Sequence, residues 1–228
     1  MDYTIVLLSG GVGSRMHNAI PKQYMLLAGK PMIMHVLEKV DCLDSVKKIV
    51  IVCADEYRTS ISLMLEQYGV RTPVEYALAG ETRQASVLSG LRRVETENVI
   101  IHEAARPFVT VEDYQKLIED ESENAIVGID IPFTVVRGHE CIEGILTRSE
   151  LVNVQLPQKF KTKTILEAHL KAEKESRTFT EDASLLFYYN SKMKIKIIQG
   201  KDYNIKITTR MDMLAGEVIY DEIFRRRM

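Results

Sequence analysis

The chain has 228 residues, with 30 Lys and Arg residues against 32 Asp and Glu residues and a formal net charge of -2. A chain of this length fits one large domain, and it can bury roughly 70% of its unfolded surface without a disulfide or metal staple. The near balance of charge argues against a protein that coats nucleic acid or an anionic membrane, because such proteins need a basic surface. A small basic pocket stays compatible with this balance, since a few Lys and Arg side chains can gather locally.

Cysteine usage and hydropathy indicate the compartment. Cys42, Cys53 and Cys141 are widely spaced and form neither a CxxC pair nor a His/Cys zinc pattern, which favours a reducing cytoplasm. The opening MDYTIVLLSGG lacks a basic segment and carries only a short apolar run, so we expect no signal peptide. No stretch approaches the ~20 apolar residues of a membrane span, and we expect no membrane partner.

Apolar β-branched runs alternate with amphipathic stretches in the first part of the chain. In chain order the periodicity predicts a strand at Thr4–Leu8, a helix at Pro31–Val40, a strand at Lys48–Cys53, a helix at Asp55–Tyr68, a strand at Pro73–Ala77, a helix at Arg83–Val94, a strand at Asn98–His102, a helix at Val111–Glu119 and a strand at Ala125–Ile131. This alternation predicts a Rossmann-like, mostly parallel sheet with helices on both faces. Ligands of such sheets bind beyond the carboxyl ends of the strands, so the loops after Leu8, Ala77 and His102 are candidate sites.

The alternation breaks at about residues 133–155, which we expect to form an inserted β-arm. Beyond the arm, the pattern predicts helices at Thr162–Glu175 and Asp182–Tyr189, a strand at Lys194–Gln199 and a last helix from Met211. The sequence contains no internal repeat and no Pro/Gly/Ser-rich linker. Residues 1–228 are therefore predicted to form a single α/β domain that carries an arm.

A glycine-rich loop follows the first predicted strand directly. The loop has the sequence LSGGVGSRM and contains Ser9, Gly10, Gly11 and Gly13. Glycines let backbone N–H groups approach an anion, and Arg15 and Lys22 add two cations, which together suit a triphosphate. The loop matches neither the GxxxxGK[ST] pattern of a P-loop nor a clean GxGxxG dinucleotide motif.

Five segments occur in an order that resembles one enzyme family. They are LSGGVGSRM with PKQY, GETRQASV at 80–87, HEAARP at 102–107, TEDAS at 180–184 and NIKIT at 204–208. From about Thr4 to about Ala215, this set resembles the 2-C-methyl-D-erythritol 4-phosphate cytidylyltransferases, which are close to the ribitol-phosphate cytidylyltransferases. The resemblance implies a nucleotidyltransferase fold and an enzyme of isoprenoid biosynthesis that couples CTP to a polyol phosphate and releases pyrophosphate.

The resemblance also implies roles for individual residues. The catalytic cations would be Arg15, Lys22 and Lys206. The nucleotide would contact Ser9, Gly10, Gly11, Gly13, Gly80, Glu81, Arg83 and Ser86. The polyol phosphate would contact Glu103, Arg106, Thr134, Arg148 and Thr180. Positioning and fixed positive charge would carry the reaction, because the attacking phosphate is already ionised.

A metal ion and a second subunit are implied in the same way. Mg²⁺, or another divalent cation, would be carried mostly by the CTP phosphates, with Glu103 as a candidate protein ligand. Thr134 and Arg148 lie on the arm, which in this family crosses to the partner subunit and completes its site. The resemblance thus implies a homodimer.

Three positions depart from the family pattern, all on the acceptor side. Glu103 stands where Asp is usual, Leu156 replaces a Thr before Pro157, and Phe133 stands where Asp is common. Recognition of a polyol depends on paired hydroxyl contacts, so ribitol 5-phosphate stays an alternative acceptor.

Other classes also fit parts of the sequence. An NAD(P)-linked oxidoreductase would use the glycine loop, with Asp55 after the second strand holding a ribose. That class gives no role to Lys22, Arg83 or Lys206. A nucleotide-binding regulator without turnover would fit the altered acceptor motifs. Lys206 also fits an outward residue of an edge strand, and His102 fits a packing histidine.

Overall fold

A computed structural model describes residues 1–11 and 20–225. Its strands are β1 (Tyr3–Leu8), β2 (Leu26–Leu27), β3 (Lys30–Pro31), β4 (Val46–Cys53), β5 (Val74–Leu78), β6 (Asn98–Glu103), β7 (Ala125–Asp130), β8 (Val136–Gly138), β9 (Ile142–Ile145), β10 (Val152–Lys161) and β11 (Lys196–Gln199). Its α-helices are α1 (Met32–Asp41), α2 (Arg58–Gln67), α3 (Arg83–Leu91), α4 (Val111–Glu119), α5 (Thr162–Lys174), α6 (Asp182–Tyr189) and α7 (Arg210–Tyr220). Short turns of 3-10 helix lie at Lys22–Tyr24, Asp55–Tyr57 and Arg148–Glu150, and a π-helical turn at Asp221–Arg225 follows α7.

The described part of the chain builds one seven-stranded sheet in the order β11-β7-β10-β6-β1-β4-β5. The β1 strand pairs in parallel with β4 and β6, β4 with β5, and β7 with β11. Only β10 runs antiparallel to its neighbours in this sheet, between β6 and β7. The carboxyl ends of β1, β5 and β6 therefore meet at one edge, as a mostly parallel sheet requires.

Helices cover both faces of this sheet, because its strands present apolar side chains alternately to each side. On one face, Ile5 and Ile49 pack among residues of α1, α2 and α4. On the other face, Val6 and Val50 pack among residues of α3, α5 and α6. The prediction of a mostly parallel sheet with helices on both faces is confirmed. The helices and strands that the periodicity predicted lie within three residues of their expected bounds.

One central strand was not anticipated from the sequence. The sequence was expected to pass from the arm to a helix at Thr162, whereas residues 152–161 form β10 inside the sheet. The strand is hard to recognise because Gln155, Gln158 and Lys159 interrupt its apolar pattern, although all three are buried. Lys159 is accommodated there because its ammonium group donates a 2.7 Å hydrogen bond to the carbonyl of Asp120.

The arm is a hairpin of β8 and β9, paired with each other and separate from the main sheet. Its apolar side chains face outward: Ile142 is 71% exposed and Ile145 is 89% exposed. A two-stranded hairpin of this kind gains little stability alone, and within one chain these apolar side chains stay in contact with solvent. Within the described residues, none of the helices combines the length and the apolarity needed to cross a membrane.

Candidate active site

A cavity of about 450 Å³ opens at the edge where β1, β5 and β6 end. It brings together most residues that the sequence assigned to the nucleotide and to catalysis, namely Ser9, Gly10, Gly11, Lys22, Gly80, Glu81, Arg83, Ser86 and Lys206. Glu103, which the sequence assigned to the polyol phosphate, lines the same cavity. These residues come from loops far apart in the sequence, and the parallel sheet places the loops side by side. Arg15 and Gly13 lie outside the described residues.

The start of the glycine loop is fixed by two side chains of the PKQY segment. The amide of Gln23 donates hydrogen bonds to the carbonyls of Ser9 (2.7 Å) and Gly11 (3.0 Å). The Tyr24 hydroxyl donates to the carbonyl of Ser9 at 3.2 Å. Gly10 packs so closely on Ala79 that an added Cβ would lie 2.3 Å from the Ala79 Cβ. Residues 9–11, at the start of the loop, are therefore held at the cavity wall by contacts behind them.

The opposite wall of the cavity is the turn that leads from β5 into α3. The backbone N–H of Gly80 donates to the Ser86 hydroxyl at 3.0 Å, and that hydroxyl donates to the Thr82 carbonyl at 2.9 Å. A Cβ on Gly80 would lie 2.6 Å from the Ala85 Cβ. Gly80 and Ser86 thus shape a tight turn that exposes its backbone toward the cavity.

A chain of alternating charges crosses the floor of the cavity. The Arg83 Nε lies 2.9 Å from Glu103 Oε1, and another nitrogen of the same guanidinium lies 2.7 Å from Asp182 Oδ2. The other carboxylate oxygen of Glu103 lies 2.5 Å from the ammonium nitrogen of Lys206. Glu103 ends β6, whereas Lys206 lies in the irregular segment before α7. Lys206 is thus not part of an edge strand.

Burial and ion pairing act in opposite directions on these groups. Burial raises the pKa of Glu103, but Lys206 and Arg83 lower it by more, to about 2. For Arg83 the balance is reversed in sign. Burial lowers its pKa, but the two carboxylates, Asp182 before Glu103, raise it by more, so the pKa of Arg83 lies above its ordinary value. Both side chains are therefore charged throughout the neutral range.

A second cavity of about 360 Å³ adjoins the first and shares Arg83, Glu103 and Lys206 with it. Its remaining wall contains Arg106 and Thr180, which the sequence assigned to the polyol phosphate. The Arg106 guanidinium donates a 2.8 Å hydrogen bond to the carbonyl of Asn204 and is held there. Two anionic ligands in these cavities would meet at the cations they share.

Thr134 and Arg148 are not brought into either cavity within one chain. Thr134 is an exposed residue of the arm, and Arg148 lines a separate groove beside Asp130 and Pro132. Asp55, the residue that an NAD(P) site would use, is exposed and pairs with Arg58 at 2.8 Å.

The sequence reasoning missed three groups that support the site. Gln23 belongs to the PKQY segment, so its role could have been predicted from that motif. Asp182 stands in TEDAS and was read there only as the start of a helix. His169 lies in a helix with no motif and is buried against Asp182, at 3.1 Å from Nε2 to Oδ1. His102 is also buried, with burial lowering its pKa to about 3, and its Nε2 donates to the Arg106 carbonyl at 3.1 Å.

The part of the chain that the structure describes offers few ligands to a resident metal ion. Among residues 1–11 and 20–225, no three His, Cys, Asp or Glu side chains cluster as a metal site would require. Each carboxylate oxygen of Glu103 already faces a cation, Arg83 or Lys206. Glu103 therefore fits an ion-paired residue better than a metal ligand.

A Rossmann-like sheet with a glycine loop after β1 and fixed cations between two cavities defines a nucleotidyltransferase-type enzyme. The family model described as "IspD: 2-C-methyl-D-erythritol 4-phosphate cytidylyltransferase" matches residues 3–222. The chain belongs to this family of CTP-dependent nucleotidyltransferases.

Relatives support the same assignment over nearly the whole chain. A 2-C-methyl-D-erythritol 4-phosphate cytidylyltransferase of Bacillus licheniformis is 34% identical over 225 residues, which cover 97% of this chain and 96% of the relative. One of Halalkalibacterium halodurans is 33% identical and covers 99% of this chain and 100% of the relative. Among solved structures, the 4-diphosphocytidyl-2C-methyl-D-erythritol synthase of Anaerococcus prevotii has a TM-score of 0.85 at 24% identity and covers 95% of each chain, which supports the fold.

We predict that Glu103→Gln lowers kcat/KM by roughly 100-fold, because Lys206 and Arg83 lose their shared anchor. The same change affects stability through pH. The ion pairs of Glu103 stabilise the fold above about pH 4.5, and this stabilisation is lost as the pH falls towards 2. The difference in unfolding free energy between wild type and Glu103→Gln should therefore shrink across that window, as measured by urea denaturation.

The matched control is Glu97→Gln, at the residue immediately before the same strand. Glu97 pairs with Lys161 at 2.7 Å but is exposed, so its loss should leave kcat/KM near the wild-type value. Equal effects of the two variants on kcat/KM would contradict the role given to Glu103.

Proposed function

We propose that this protein transfers the cytidylyl group of CTP to 2-C-methyl-D-erythritol 4-phosphate and releases pyrophosphate. The observation that carries the proposal is the placement of Arg83, Glu103 and Lys206 at the junction of two cavities. Family membership favours this acceptor over ribitol 5-phosphate, and a cytidylyltransferase over an NAD(P)-linked oxidoreductase or a regulator. The product is a CDP-polyol of isoprenoid biosynthesis.

The chemistry needs positioning and fixed charge more than proton transfer. A phosphate oxygen of the acceptor forms a bond to the α-phosphorus of CTP, while the bond from that phosphorus to the bridging α–β oxygen breaks and pyrophosphate leaves. The attacking oxygen is already ionised, so no base has to remove a proton. Lys206 lines both cavities and would contact both the α-phosphate and the incoming phosphate. Lys22 and Arg15 would hold the β- and γ-phosphates, where negative charge grows.

The second cavity would receive the polyol phosphate. Arg106 would provide a half-buried cation for its phosphate, and Thr180 would provide a hydroxyl in the wall. Leu156 adds a nearly buried apolar side chain to the wall, where the family pattern has a hydroxyl. Leu156 cannot form a hydrogen bond with a hydroxyl of the acceptor, so the preference for 2-C-methyl-D-erythritol 4-phosphate rests on family membership.

A divalent cation, with Mg²⁺ as the first choice, completes the proposal. Bound to the triphosphate, it would neutralise phosphate charge and so favour departure of pyrophosphate. Because Glu103 is ion-paired, the metal would be held by phosphate oxygens and water.

The arm points to a homodimer as part of this proposal. Arg148 and Thr134 lie on the arm, away from both cavities of their own chain, and Ile142 and Ile145 are exposed beside them. An arm that crosses to a partner would bury these apolar side chains and bring Arg148 to the partner's acceptor cavity. We further propose that residues 1–228 act as one domain in the cytoplasm, where Cys42, Cys53 and Cys141 stay free thiols.

The proposal predicts pyrophosphate release from CTP and 2-C-methyl-D-erythritol 4-phosphate in the presence of Mg²⁺. We expect little release with ribitol 5-phosphate, and thermal stabilisation by CTP with Mg²⁺ but not by NAD. A coupled pyrophosphate assay with both acceptors measures this. Release with ribitol 5-phosphate alone would reassign the acceptor, and no release with either acceptor would sink the proposed activity.

Lys22→Ala should lower kcat by roughly 100-fold, on the scale of a lost transition-state contact. Lys47→Ala is the matched control, because Lys47 is an exposed lysine on β4 outside both cavities. Steady-state kinetics of the two variants decide the point. A kcat of Lys22→Ala equal to that of Lys47→Ala would show that Lys22 takes no part in catalysis.

Complementation tests the shared site. Arg148→Ala and Lys206→Met should each be nearly inactive alone. If the arm completes the partner's site, a mixed dimer contains one intact site, and a 1:1 exchanged mixture recovers about a quarter of wild-type activity. Recovery should be absent when both changes are in the same chain. A mixture that stays as inactive as its components would place Arg148 in its own chain's site, or outside the site.

A further inference from the structure

Two buried residues behind the cavities are linked to the site by direct contacts. His169 of α5 and Asp182 of α6 are both fully buried, and the His169 Nε2 lies 3.1 Å from Asp182 Oδ1. The other carboxylate oxygen of Asp182 lies 2.7 Å from Arg83. Neither His169 nor Asp182 lines either cavity, so a ligand in those cavities would be held by other residues.

The direction of each hydrogen bond follows from the chemistry of the groups. An ionised carboxylate only accepts, so the proton of His169 is on Nε2 and is donated to Asp182. Asp182 is ionised, because the pKa increase that burial causes is outweighed by Arg83 and by His169, which lower the pKa. His169 therefore orients one carboxylate oxygen and leaves the other directed at Arg83, as in other carboxylate–histidine pairs of buried sites.

Arg83 connects Asp182 to Glu103 through two nitrogens of one guanidinium group. Its guanidinium is planar and rigid, so a contact with Asp182 on one edge fixes the direction in which Nε meets Glu103. Glu103 in turn lies 2.5 Å from Lys206. The order of contacts is His169, Asp182, Arg83, Glu103 and Lys206, and it joins α5, α6, α3, β6 and the segment before α7.

We infer that Asp182 and His169 are positioning residues that set the place of Lys206 through Arg83 and Glu103. The expected change in kcat rests on the proposed function, whereas the expected change in the position of Lys206 does not. With Asp182 neutral, Arg83 would turn its second nitrogen towards Glu103 and compete with Lys206 for the carboxylate. Lys206 would then lose its fixed position between the two cavities.

Asp182→Asn is the test variant, and its first readout needs no activity. The rate of reductive methylation of Lys206, followed by mass spectrometry, should rise several-fold, because the ammonium group leaves its ion pair. In turnover of CTP and 2-C-methyl-D-erythritol 4-phosphate, kcat should fall roughly 10-fold, the scale of a misplaced rather than a missing group. In the Lys206→Met background, Asp182→Asn should not weaken CTP binding further, as measured by calorimetry with CTP and Mg²⁺.

Glu173→Gln is the control, because Glu173 pairs with Arg92 and so also joins α5 to the end of α3, but on the surface. Its labelling rate and kcat should equal those of the wild type. If Asp182→Asn does not fold, His169→Gln and His169→Leu replace it: Gln keeps an N–H donor for Asp182 and should keep kcat, whereas Leu should not.

The inference is overturned if a folded Asp182→Asn protein labels Lys206 at the wild-type rate and keeps the wild-type kcat. It is also overturned if His169→Leu and His169→Gln are equally active and label Lys206 equally. A wild-type protein that does not turn over CTP would reject the proposed function, while the labelling rates would still decide the positioning role.

Discussion

The carboxylate of Glu103 bridges two cations at the carboxyl end of β6, and both cavities depend on that contact. Burying a lone carboxylate is costly, and burying Arg83 without a partner is equally unfavourable. Together with Asp182 and Lys206 the charges alternate and sum to zero, so each group offsets the desolvation of its neighbour. Removing any one member leaves the other three with an uncompensated charge, which makes the arrangement specific as well as stable.

The fold makes this contact available because parallel strands deliver their loops to one edge. Glu103 ends β6 in the middle of the sheet, next to β1 and its glycine loop. Lys206 reaches the same point from the far end of the chain, where the backbone N–H of Ile207 donates to the Ala105 carbonyl at 2.8 Å. Ile207 is fully buried, and its neighbour Lys206 therefore projects the other way, into the cavities.

The elements that the sequence predicted correctly are those whose formation depends on residues close together in the chain. Strand β1, its glycine loop and the helices on both sheet faces follow from period and turn residues. Strand β10 could not be read this way, because Gln158 and Lys159 become acceptable inside a sheet only through distant partners such as the Asp120 carbonyl. The support from Asp182 was missed for a similar reason: its contact with Arg83 spans 99 positions, and no sequence period encodes it.

The ion pair between Glu103 and Lys206 also limits how tightly Lys206 can bind an anion. A lysine paired with a carboxylate binds an anion less tightly than an unpaired lysine would, because Glu103 competes for the same ammonium group. Equal binding of substrate and transition state lowers KM without raising kcat, so a fully free cation would favour bound CTP as much as the reaction. In the proposed reaction, Glu103 would weaken the ground-state contact of Lys206 with phosphate, and Lys206 would gain most when negative charge grows between the two phosphates. A chain with a formal net charge of -2 can thus carry a local group of cations that its own carboxylates restrain.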